Sequence, residues 1–139
     1  MSMRPQDINM ERWAIRYTRI ALGAAFLSGI ASRFGLWGKD VGYGNFANFV
    51  SYTAEVNAFM PASTIPFLAW TATAAELVLG IALLIGFRLR WAALSSALLL
   101  LLFATAMAIS LGIKSPLDYS VFSASAAALL LASRSSREQ

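Results

Sequence analysis

The sequence predicts an all-α integral membrane protein, a single domain over residues 1–139 in which four transmembrane helices form an up-down bundle. An extra amphipathic helix is expected between the first and second spans. Three observations carry that prediction. The chain is 58% hydrophobic and 13% charged, against about 45–50% and 25% in soluble domains. Residues 91–113 are a run of 23 without a charge, longer than the roughly 20 that cross a hydrocarbon core about 30 Å thick. Finally, the basic residues segregate. Arg4, Arg12, Arg16, Arg88, Arg90, Arg134 and Arg137 fall on one side of the expected spans, and Arg33, Lys39 and Lys114 on the other, which makes the first side, with both termini, cytoplasmic.

Each element follows from its residues. Residues 1–11 are polar and read as a frayed lead-in. The first span, residues 15–37, carries Arg16, Arg19 and Arg33 and is bracketed by Trp13 and Trp37, whose indoles suit the membrane interface. Residues 38–44 (GKDVGYG) read as a flexible turn. Over residues 45–60, Phe46, Phe49, Val50, Val56, Phe59 and Met60 alternate with Asn45, Asn48, Ser51 and Glu55 in an amphipathic helix. Such a helix lies flat on the outer surface or, in the preferred reading, caps the mouth of the bundle. Pro61, Ser63 and Pro66 then start the second span, residues 67–87, which is interrupted only by Glu76. A tight turn through Arg88 and Arg90 leads to the third span, residues 91–113. The fourth, residues 117–133, is short and rich in Ala and Ser, with Ser115 as expected N-cap, Pro116 first and Asp118 third. Its roughly 26 Å crosses a bilayer only if the helix stands upright or Lys114 and Arg134 snorkel. The polar lead-in and the three later spans argue against a cleavable signal peptide.

Composition also excludes. With no cysteine and no histidine, disulfides, thiol chemistry, cysteine-ligated clusters and imidazole-ligated haem, copper or zinc are out of reach, so no metal site and no catalytic residue is assigned. The net charge of +4 reads as topology signal and attraction to anionic lipid, with no nucleic-acid face.

Glu76 is the most informative residue, because a carboxylate in mid-span must face protein, water or a partner. Ala72, Thr73 and Gly80 surround it with small residues that let another backbone approach. Side chains lean toward the N-terminus of their own helix, so Arg33 leans inward from the outer end of the first span while Glu76 leans outward. The remaining offset is about five residues, roughly 8 Å, within their joint reach. An Arg33–Glu76 ion pair is expected. It serves either as a structural lock or as the polar end of a cavity for a small amphiphile or a proton relay. Asp118 reads as a helix N-terminal charge, or with Tyr119 as part of an outer cavity. Trp70, above Glu76 and beneath the expected cap, reads as core or as a stacking surface for a ligand. Arg16 and Arg19 read as snorkelling anchors, the alternative being contacts to an anionic headgroup or a quinone carbonyl.

Three stretches carry a resemblance: FLSGIASRFG at residues 26–35, NFANF at residues 45–49, and AELVLGIALLIGFR at residues 75–88. In this order they resemble the DoxX family, small four-helix membrane proteins of bacteria and archaea, over about residues 17–132. The resemblance implies a bacterial or archaeal cytoplasmic membrane. It places Gly29, Arg33 and Glu76 at the family's Gly, basic and Glu positions, with Ser28 where many relatives carry His. It further implies a quinone or redox association. The expected function is an accessory subunit of a larger membrane complex, with other membrane subunits as partners and no catalysis of its own. The alternatives are a free-standing binder of a lipid or quinone, or the membrane subunit of a quinone-reducing enzyme whose cofactor sits on another chain.

Overall fold

The computed structural model describes residues 2–135, which are helical almost throughout. Helix α1 spans Pro5–Arg33, α2 Phe46–Val56, α3 Ile65–Ile85, α4 Leu89–Leu111, α5 Lys114–Asp118 and α6 Val121–Ser135, with a short 3₁₀ turn at Ala62–Thr64 before α3. The four long helices pack in a ring, α1 on α3, α3 on α4, α4 on α6 and α6 on α1, while α2 leans on α3 and α4 at one end. The N-terminal part of α1 and the end of α6 meet through Glu11 and Arg134, 3.5 Å apart, so both ends of the described chain lie at the same end of the bundle.

Small residues set how closely the helices approach. Between α1 and α3 a Cβ added at Gly23 would lie 2.9 Å from the carbonyl oxygen of Gly80, so the two backbones touch there, a contact that only a residue without a side chain permits. Between α4 and α6, Ala92, Ala93, Ala97, Ala128 and Ala132 are buried, and the Ser125 hydroxyl donates to the Ala97 carbonyl at 2.7 Å. Ile15, Leu22, Phe26, Leu83 and Leu131 complete this core. The outward faces stay apolar: Phe67, Val78, Ile85, Leu98, Ile109 and Leu130 are all exposed. Two helical segments, Ala62–Ile85 and Leu89–Leu111, are long and apolar enough to cross a membrane, and most of each is unburied. A core helix of a soluble protein would hide those residues; here they form a surface that only an apolar solvent satisfies.

Several boundaries differ from the sequence reading. Residues 5–11 are not frayed: Pro5 starts α1 at a position where its missing N–H costs nothing, and Asp7 in the first turn pairs with Arg4 at 3.2 Å. The helix stops at Arg33 rather than residue 37, and Trp37 folds back so that its indole N–H donates to Ser28, at 3.1 Å to both the carbonyl and the hydroxyl. The 38–44 segment follows a fixed path, with the Tyr43 N–H donating to the Ser32 hydroxyl at 2.9 Å and the Asn48 amide donating to the Tyr43 carbonyl at 2.7 Å. Helix α2 stops at Val56, short of residue 60. Ser115 is not an N-cap. The last span breaks in two, because Ser120 takes a left-handed conformation (φ 56°) between α5 and α6. Asp118 is consequently no helix-start charge for α6; it pairs with Lys114 on the surface. Arg137 lies outside the described residues.

Candidate functional site

The last turn of α1 delivers Arg33 to the centre of a three-helix junction, at a helix C-terminus, where a cation is favoured. Arg33 is 4% exposed and Glu76 7%, and the structure brings them together as an ion pair. The Arg33 Nη1 also donates to the Thr73 hydroxyl at 2.9 Å, and that hydroxyl donates in turn to the Ala69 carbonyl at 2.8 Å. From α2, the Phe49 ring lies under the guanidinium, 3.8 Å from centroid to Cζ, close enough for a cation–π contact. One charge therefore ties α1, α2 and α3 together. Its Nε is buried with no hydrogen-bond partner among the described residues.

The spacing on α3 explains why Glu76 and Thr73 point inward. Ala69, Thr73, Glu76, Gly80 and Leu83 are all buried and follow one another at steps of four and three, one face of a helix. Trp70 is six residues from Glu76, about 600° of helical rotation, and so falls on another face. It is 55% exposed, and its ring lies tilted against Phe46 with centroids 4.2 Å apart and against Phe34 at 6.3 Å. Trp70, expected above Glu76 and beneath the cap as core or as a stacking surface for a ligand, packs against Phe46 of α2 and is not among the residues that line the cavity beside Glu76.

Arg33 and Glu76 form one wall of a cavity of about 810 Å³ between α2, α3 and α4. Leu68, Leu99, Phe103 and Met107 supply apolar wall, and Tyr43, Tyr52 and Tyr119 bring phenol groups. Tyr119 thus joins Arg33 and Glu76 while Asp118 and Trp70 do not. The Tyr43 phenol is pushed up to about 12, chiefly by burial and then by the nearby Tyr52, with Arg33 opposing. Burial raises Tyr52 as well, helped by Tyr119 and Glu55. Both phenols therefore stay protonated at neutral pH and offer O–H donors. A mutually neutralised ion pair, neutral hydroxyls and apolar walls suit a ligand with an apolar body and an uncharged polar head. Sequence reasoning missed Tyr43, Tyr52 and Thr53 here. Only Thr73, one turn before Glu76 on the same face, carried a readable signal.

Arg16 and Arg19 lie at the far end of the bundle, where with Arg12, Ile15 and Leu89 they line a separate hollow of about 320 Å³.

Among comparisons with known proteins, a family model described as methylamine utilisation protein MauE matches residues 11–120. The matched stretch holds the ion pair and every residue that lines the two hollows except Val121, and it ends at the Ser120 break, before α6. No curated protein and no solved structure matches. The family match overturns the resemblance to DoxX. The features behind that resemblance, a Gly, a basic residue and a buried Glu in small apolar helices, are what any bundle needs to hold one internal charge pair.

Proposed function

The chain belongs to the methylamine utilisation protein MauE family, a family of membrane proteins, and on that premise we propose that it serves methylamine utilisation as an accessory membrane protein holding a small amphipathic molecule beneath α2. The observation that carries this reading is the position of the Arg33–Glu76 pair. A purely structural lock would be sealed in protein, whereas this pair borders a cavity of about 810 Å³ with three tyrosines on its wall. A quinone ring or the ester region of a lipid has the matching form, with carbonyl oxygens to accept from phenols and an apolar remainder for the walls.

In this reading α1, α3, α4 and α6 all cross the cytoplasmic membrane of a bacterium or archaeon, with the arginine-rich end and both termini inside. Other membrane subunits then take up its exposed apolar faces.

Purification in mild detergent with native mass spectrometry tests the proposal. The expected result is a stoichiometric quinone or lipid that is lost when Ala106→Trp fills the cavity while Arg33 and Glu76 stay in place. Wild-type chain that carries no such molecule and takes up no added ubiquinone overturns the ligand reading. Failure to retain any partner subunit overturns the accessory reading separately.

A further inference from the structure

We propose that the arginine-rich end of the bundle carries a binding site for a phosphate group, built by Arg12, Arg16 and Arg19 of α1, whose occupant is the headgroup of an anionic phospholipid. The inference is independent of the cavity beneath α2, from which this hollow is separated by the apolar core.

Arg12, Arg16 and Arg19 follow at steps of four and three, so they share one face of α1, and all three line the hollow of about 320 Å³ together with Ile15 and Leu89. No acid lines it. Among the described residues, the two acids of this end are engaged elsewhere, Asp7 with Arg4 at 3.2 Å and Glu11 with Arg134 at 3.5 Å. Among the described residues, none of the three guanidiniums has a hydrogen bond or an ion pair. Arg16 rests only on the Trp13 ring, 5.6 Å from its centroid, and the Arg19 Nε is buried with no partner. Like charges gathered on one helix face repel, and a phosphate among them is the group that converts repulsion into charge-assisted hydrogen bonds.

The scaffold holds the arrangement in place. Gly86 ends α3 in a left-handed conformation (φ 77°), and a Cβ there would come within 2.6 Å of the Arg19 Nη1. The guanidinium therefore lies against the C-cap of α3. Across the turn, α4 begins at Leu89, which lines the hollow, and has no side-chain cap.

Surrounding aromatics identify the source of the phosphate. Trp13, Phe87 and Trp91 are exposed around this end, the placement that aromatic rings take at headgroup depth. A phosphate bound among them arrives with acyl chains attached, which lie along the exposed apolar flanks.

The test uses the purified full chain in neutral detergent and native mass spectrometry, titrating phosphatidylglycerol, phosphatidylcholine and inorganic phosphate separately. Phosphatidylglycerol is expected to be retained in preference to phosphatidylcholine. Arg16→Gln lowers its affinity about fivefold and the Arg12→Gln/Arg16→Gln double variant about 25-fold, whereas Arg4→Gln, which removes the same charge from the same end, changes it less than about twofold. Arg12 and Arg16 are exposed, so these variants keep the fold, as circular dichroism will verify. Equal retention of the two lipids, or equal loss with Arg4→Gln, overturns the site. Inorganic phosphate that binds as tightly as phosphatidylglycerol overturns the lipid as its occupant.

Discussion

At the scale of single residues, the energetics concentrate on Arg33 and Glu76. Removing one partner of a buried pair leaves the other charge uncompensated, at a cost of about 3–5 kcal/mol, while replacing both with apolar residues of similar volume is often neutral. Arg33→Ala and Glu76→Ala are each expected to lower the thermal midpoint in detergent strongly, and Arg33→Met/Glu76→Leu to recover most of the loss. Strictly additive losses across the double-mutant cycle would show that the pair is not coupled. That Arg33 and Glu76 lie within reach of each other is legible in the sequence, because charge and helix direction are both readable from residue order. The same counting gives the depth of Trp70 but not its part in the cavity, since depth along a helix says nothing about rotation around it, and six residues turn the side chain off the Glu76 face.

Tyr43 gives a second residue-scale expectation. Its folded value of about 12 lies above the ordinary 10.0. A raised folded value means that the phenol's contribution to stability is complete below pH 10 and is lost as pH rises through about 12. Ultraviolet titration should show two of the four tyrosines, Tyr43 and Tyr52, ionising above the ordinary range, and Tyr43→Phe should remove the step near 12. If that step survives the substitution, it belongs to another phenol.

Among the elements, α2 is the one whose local sequence specifies it most fully. Asn45 stands in extended conformation and its side chain accepts from the Asn48 N–H at 2.8 Å, an N-cap, while the buried Phe49, Thr53 and Val56 form the face set against the bundle. Asn45→Ala is expected to cost about 1 kcal/mol, felt first as faster hydrogen exchange in residues 46–56, with α3 and α4 unchanged. Exchange that rises equally in all helices would mean that α2 does not open on its own. Other element boundaries were less legible for physical reasons. The polar start of α1 shows no apolar periodicity, so nothing marked residues 5–11 as helical. The break between α5 and α6 rests on one serine at positive φ, a conformation that no local motif announced.

At the scale of the molecule, the four expected spans correspond to α1, α3, α4 and α6, but among the described residues only two helical segments pass on length and composition. Four arginines dilute α1 and α6 has 15 residues, and it is packing that gathers them into one bundle. The absence of cysteine permits a clean topology test. Ser2→Cys and Arg134→Cys, the latter at a side chain 43% exposed, should react with an impermeant maleimide only from the cytoplasmic side, and Asn57→Cys only from the other. Reaction of Ser2→Cys and Arg134→Cys from opposite sides would rule out an even number of spans.

The Gly23–Gly80 contact has a consequence for direction. Along α1, α3 and α4 the buried apolar core lies between the two hollows, which share no residue. At its centre the backbones of α1 and α3 already touch. In the proposed reading the bundle is therefore a blind vestibule: the hollow under α2 does not continue through the core to the arginine-rich end, an arrangement for holding a molecule and not for conveying it across.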